Sequence, residues 1–255
     1  IFASIDSRIK FCLFTRKKPP TRESNPGTAE FIFFAHQVGD LKDPARRFTL
    51  SSDDITLLNP NTGNCPIFRS RADAELTKAI YRRVPVLWRE ASADRQESNP
   101  WDLSFLRLFD MANDSHHFRT AKGLLADGYR KECNVFVSPY DRCLPLYEAK
   151  MLHQFDYRWA TYEEGPDGQV DSRDVTLEEK RDPNFVVQPR YWIREDVVES
   201  AIPEAIRSQK WFLGWRDITN ATNERTMIST ILPKSAVGHT YLLCTCLLYT
   251  SAAAD

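Results

Sequence analysis

The stretch WFLGWRDITNATNERTMISTILP, residues 211–233, sets Arg216, Asp217, Asn220, Asn223, Glu224, Arg225 and Thr226 between an aromatic flank (Trp211, Phe212, Trp215) and the apolar run from Met227 to Leu232. Burying such groups unpaired costs roughly 2–7 kcal/mol each, so the set either satisfies itself or faces a polar ligand. A second set, Tyr147, Lys150, His153, Gln154, Phe155, Asp156, Arg158 and Trp159, mixes cations, amides and aromatics. These types suit base-edge recognition: Asn and Gln pair with adenine, Arg with guanine, and aromatic rings stack on an unstacked base. They equally suit an internal network in which Arg–carboxylate pairs pin two loops together.

Other chemistry is poorly supported. No G-x-G-x-x-G, P-loop or G-x-S-x-G run occurs, which leaves nucleotide cradling and serine hydrolysis without a motif. His116-His117 has no identifiable partner for a general base. Cys12, Cys65, Cys133, Cys143, Cys244 and Cys246 form no C-x-x-C pair, and Cys133 and Cys143 with His116 and His117 match no zinc-ligand spacing. Scattered cysteines of this kind suit reduced, buried thiols in a cytoplasm. Asp53-Asp54 and Glu163-Glu164 read as a helix N-terminal turn and a loop rather than a nuclease metal site. No catalytic residue and no metal ligand is assigned.

Composition bounds the problem further. The chain has 255 residues, 42% of them hydrophobic, and no apolar run approaches the ~20 residues of a membrane span, so a cytoplasmic protein outside the membrane is expected. Net charge is −1, yet residues 1–100 hold 16 Lys+Arg against 12 Asp+Glu, whereas residues 156–200 hold 6 against 12. For nucleic-acid binding that distribution matters more than the sum. The acidic excess lies in TYEEGPDGQVDSRDVTLEEKRDPN, which reads as a solvated loop or insertion.

The elements that must position the two polar sets are of mixed type. IKFCLFT and AEFIFFAHQV, separated by RKKPPTRESNPGT, read as two strands of a long hairpin at the edge of a larger sheet. Ser51 or Ser52 caps a short helix that ends at Asn59-Pro60-Asn61. Ser70 caps a second, with Leu76, Ala79, Ile80 and Val84 as its apolar face and Lys78, Arg82 and Arg83 as a solvated or phosphate-facing basic face. WDLSFLRLF, NVFVSPY and FVVQPRYWI read as strands, the first leading into a helix cap near Asn113 to Ser115. REDVVESAIPEAI reads as a helix interrupted at Pro203. The expected class is α+β.

Four stretches in order carry a resemblance: FTLSSDDITLLNPNTGNCPIFRSRADAELTKAIYRRVPVLW, NPWDLSFLRLFDMANDSHHFRT, LPLYEAKMLHQFDYRWATY and WFLGWRDITNATNERTMISTILPKSAVGHT. Together they resemble the C-terminal part of large bacterial adenine-specific DNA methyltransferases, the restriction-modification methylase family that includes fused type IIG enzymes. The resemblance covers nearly the whole chain to about His239. It implies a Rossmann-like catalytic domain that binds S-adenosylmethionine, an Asn-Pro-Pro-aromatic motif that holds a flipped adenine, and double-stranded DNA as partner. Neither that motif nor a cofactor glycine loop occurs here, so this chain is expected to bind no cofactor and methylate nothing alone.

On that resemblance, residues 1–40 are the end of the methyltransferase catalytic domain, the terminal β-hairpin of its Rossmann-like sheet, 41–145 a connecting helical or mixed region, and 146–240 a mixed α/β target-recognition region. The catalytic domain would lie in cis, N-terminal to a chain that reads as a fragment. CLLYTSAAAD, residues 246–255, resembles translated sequencing adaptor. Arg216, Asn220, Asn223, Arg225, Thr226, Lys150, His153, Gln154 and Arg158 are then expected to contact DNA, with Asp217 and Glu224 orienting arginines. The competing class is a DNA-binding or scaffold domain without catalysis, its polar clusters closed on themselves.

Overall fold

The computed structural model describes residues 12–15, 27–220 and 223–246. The chain divides into two compact units, residues 1–100 and 101–255.

The first unit contains β1 (Ala29–Phe31), β2 (Phe48–Leu50), α1 (Ser52–Leu58) and α2 (Arg71–Arg83). Ser51 Oγ accepts the Asp54 amide and the Asp54 carboxylate accepts the Ser51 amide, a closed capping box that fixes the start of α1. Ser70 caps α2 by accepting the Asp73 amide. Phe48, Leu50, Leu58 and Ala74 form the core, with Phe31, Phe33, Phe68 and Tyr81 packed around them.

Two expectations meet the structure in this unit, and one of them fails. β1 pairs antiparallel with β2, Glu30 opposite Thr49. The expected partner strand lies partly outside the described residues, and its described part, residues 12–15, forms no strand. In the pairing that is described, Phe48 packs against the Phe31 and Phe33 rings. α2 turns the other way from the face expected. Leu76 is 62% exposed and Ile80 48%, while Ala74 and Lys78 are buried. Lys78 is held by Glu75 at 2.8 Å and Asp54 at 3.8 Å, and this pairing with a carboxylate of α1 lets an ammonium occupy the inner face.

The second unit is a mixed α+β assembly rich in antiparallel strands. It contains β3 (Leu103–Leu106), α3 (Ala121–Ala126), β4 (Arg130–Glu132), β5 (Val135–Val137), β6 (Arg142–Tyr147), β7 (Ala160–Glu164), β8 (Val170–Asp174), α4 (Leu177–Arg181), β9 (Trp192–Arg194), α5 (Glu195–Ala201), β10 (Trp211–Arg216), β11 (Ser229–Pro233), β12 (Ala236–Val237) and β13 (Tyr241–Cys246). One antiparallel sheet has the order β11-β10-β13-β3. In a second sheet β6 bonds β5 through its first residues, β9 through its middle and β12, in parallel, through its last. Between β11 and β13 the chain thus visits the second sheet, and Leu144, Leu146, Phe212, Leu232 and Leu243 from the two sheets share one core.

Three further readings change here. The segment expected as a solvated loop contains the β7–β8 hairpin, with Gly168 at φ 76° in its turn, and then α4 under a Thr176–Glu179 capping box. Its charges pair across the ribbon, Arg173 bonding Glu163 and Glu179, so high charge does not keep it irregular. FVVQPRYWI yields only Trp192 and Ile193 as strand, the start of β9; Pro189 has no amide to give a ladder. Cys246, expected to open an artefactual tail, pairs with Leu103 as the last residue of β13, and 247–255 lie outside the described residues. No helix among the described residues is long and apolar enough to cross a membrane.

Candidate nucleic-acid interface

The two polar sets meet at the start of β11. β10 and β11 pair from Trp211 opposite Pro233 to Trp215 opposite Ser229, and residues 217–228 connect them. On the other side, residues 148–159 follow β6 through a 3-10 turn, Ala149–Met151, and reverse in a tight loop closed by His153 and Asp156. Ser229 is the junction. Its amide donates to Gln154 Oε1 at 3.0 Å, and its carbonyl accepts the Phe155 amide at 2.9 Å.

Several residues expected at DNA are engaged within the protein. Arg216 donates from Nε and Nη2 to Leu152 O, at 2.9 and 2.5 Å, and burial pulls its pKa below the usual arginine value. Arg158 donates to Lys180 O at 2.8 Å and Phe185 O at 3.4 Å. Gln154 is held by Ser229. His153 stacks on Trp159 with ring centroids 4.2 Å apart; desolvation, and then the nearby Arg216 charge, lowers its pKa. Asp217 does orient an arginine, but it is Arg107, which the sequence reading did not single out. Two parallel bonds of 2.8 and 2.9 Å join them, and they hold the Asp217 carboxyl below its usual range.

Other expected residues face solvent. Asn220, Asn223, Glu224, Arg225 and Thr226 are exposed on the β10–β11 connection, whose neck is tied by Thr219 Oγ1 donating to Thr226 O at 2.6 Å. Lys150 is also exposed, with Nζ 4.8 Å from the centroid of the Tyr162 ring. The arrangement is a hydrogen-bonded base carrying a polar tip: Arg216, Gln154 and Ser229 tie the two loops together, and residues 223–226 are exposed.

Phe155 stands out beside that tip. It is 83% exposed and sits at φ 60°, a left-handed conformation that Gly or Asn adopts at far lower cost. An exposed aromatic held there by a backbone bond to Ser229 has the form of a contact residue. The sequence signal was its place between Gln154 and Asp156 in the second polar set; its exposure could come only from the fold.

Among the described residues no group of three or more His, Cys, Asp and Glu side chains is placed to hold a metal ion. No family model, no curated protein and no solved structure matches the chain.

Proposed function

We propose that this chain is the DNA-recognition part of a site-specific adenine DNA methyltransferase. The reading joins the resemblance of four ordered stretches to one geometric observation. The two polar sets, far apart in sequence, converge on Ser229 and leave the Asn223–Thr226 tip and the Phe155 ring exposed at the ends of adjoining loops. Under this reading Asn220, Asn223, Arg225, Thr226 and Lys150 touch bases or phosphates. Arg216, Arg158, Gln154, His153 and Asp217 shape the loops that carry them.

S-adenosylmethionine would supply the methyl group in such an enzyme. The residues here do not fit it, since neither a cofactor glycine loop nor an Asn-Pro-Pro-aromatic motif occurs in the 255 residues. No methyl-transfer step is assigned to this chain. Its role in the proposal is to bind duplex DNA in a fixed register, through phosphate contacts that position and base contacts that specify.

A specific observation favours a second reading, a scaffold domain: Arg216, Arg158 and Asp217 all have partners within the protein. Fluorescence anisotropy of labelled duplex against the full chain, at a series of salt concentrations, separates the two. The DNA reading expects log affinity to fall linearly with log salt, by about 0.9 for each phosphate neutralised. Absence of salt-dependent binding would leave the scaffold reading.

A further inference from the structure

Phe155 occupies a turn position that its residue type disfavours. The His153 amide donates to Asp156 O at 2.8 Å and the Asp156 amide to His153 O at 3.0 Å, which closes residues 153–156 into a tight turn. Phe155 is the third residue of that turn, at φ 60°, where a left-handed backbone ordinarily selects Gly or Asn. Its ring is 83% exposed, so packing within the chain does not offset the conformation. A disfavoured backbone kept for an exposed aromatic points to something outside the chain that the ring meets.

The neighbours of Phe155 are turned back into the protein. Gln154 Oε1 accepts the Ser229 amide at 3.0 Å, and the Phe155 amide donates to Ser229 O at 2.9 Å. Asp156 accepts Lys180 Nζ at 2.6 Å on one carboxylate oxygen and the Arg158 amide at 2.8 Å on the other, so its charge is met by a cation rather than set against a phosphate. The His153 and Trp159 rings stack on each other. Phe155 is left projecting from the apex of the turn, on the same pair of loops as the exposed cations Lys150 and Arg225.

That combination is the one DNA-kinking proteins use. An apolar side chain such as Phe enters between base pairs and partly unstacks them, while cations hold the flanking phosphates.

We propose that Phe155 is an intercalating wedge, which inserts between adjacent base pairs of duplex DNA while Lys150 and the Asn223–Thr226 tip hold the strands on either side. The wedge rests on the DNA reading and adds to it a residue that deforms the duplex.

Fluorescence anisotropy of the full chain tests it, with a labelled duplex of mixed sequence and the same duplex carrying one central abasic site. The abasic step is already partly unstacked, so a wedge enters it at lower cost. The parent should bind the abasic duplex at least roughly tenfold more tightly than the intact one. Phe155→Gly removes the ring and suits the left-handed backbone, so it should fold with an unfolding midpoint at or above the parent's. It should bind the two duplexes with similar affinity and keep the salt dependence of the parent. Should Phe155→Gly fail to fold, Phe155→Asn, which also adopts that backbone, is expected to show the same loss of preference. Equal binding of the two duplexes by the parent, or a preference retained by the folded variant, would overturn the wedge and leave the DNA reading standing. Absence of salt-dependent binding to either duplex would remove the DNA reading and the wedge with it.

Discussion

One guanidinium and one carbonyl join the two polar sets: Arg216 donates from both Nε and Nη2 to Leu152 O, 64 residues earlier in the chain. Arg216 ends β10 and Leu152 follows the 3-10 turn after β6, so the pair ties one sheet's strand to a loop leaving the other sheet. Arg216→Ala would leave the buried Leu152 carbonyl without this donor. It should cost about 1–3 kcal/mol in urea-induced unfolding, and Arg216→Lys, with one point donor, should recover only part. An unchanged urea midpoint for Arg216→Ala would remove the tie from the account of stability.

Arg225 makes the contrasting case. It is exposed on the connection beyond that tie, so Arg225→Ala should leave the unfolding midpoint within about 0.5 kcal/mol of the parent. If it reads a base, duplex affinity should fall by ~1–3 kcal/mol and site preference should relax. If it touches only a phosphate, all sequences should weaken together and the salt slope should drop by about one. Unchanged affinity, preference and salt slope in a gel-shift series would strike it from the interface.

Gly214 shows why β10 carries a glycine at mid-strand. Tyr241, in the neighbouring strand β13, sends its ring across β10, where its Oη lies 2.7 Å from Gly214 O and accepts the Thr230 amide at 3.0 Å. A Cβ at position 214 would lie 2.5 Å from Tyr241 Cε1 and 2.6 Å from Leu242 O. One of these is backbone, which cannot swing aside. Gly214→Ala should therefore destabilise by at least the ~1–3 kcal/mol usual for overpacking, read as a lowered thermal midpoint, and Gly214→Ala with Tyr241→Ala should not restore it fully. A Gly214→Ala midpoint equal to the parent's would mean the strands part easily there.

Local signals were legible in the sequence and distant ones were not. Ser51 and Ser70 cap α1 and α2 because Ser-x-x-Asp needs only three residues of context, and Val135–Val137 declares itself as a β-branched and aromatic run. The inner face of α2 was misread because its apolar stripe is the exposed one. Lys78 occupies the core side only by pairing with Asp54 on another helix, which periodicity cannot register. The β7–β8 ribbon was misread for a related reason: with Glu163, Asp171 and Arg173 along its strands it lacks apolar alternation, and cross-strand charge pairing replaces it. At the candidate site the residue types pointed to two polar sets, but which residues anchor and which project depends on Leu152 and Ser229. Both are unremarkable in sequence and matter through their main-chain groups.

The Arg173–Glu179 pair gives a pH dependence whose direction follows from its geometry. Arg173 donates from Nη1 and Nη2 to the two Glu179 carboxylate oxygens, at 2.8 and 2.5 Å, and the Thr176 amide donates to Oε2 at 2.9 Å. The Arg173 bonds first, and then the Thr176 amide, hold the Glu179 carboxyl down to about 2, against an ordinary 4.5. A carboxyl depressed on folding contributes stability that is fully present above its unfolded pKa and is lost as pH falls through the window down to the folded value. The wild-type unfolding midpoint should accordingly decline between about pH 4.5 and about pH 2. Glu179→Gln cannot titrate, so it should start from a lower midpoint at neutral pH and decline less across that window. Urea unfolding of both proteins at stepped pH reads the difference. Parallel curves for the two would show that Glu179 ionisation does not couple to folding.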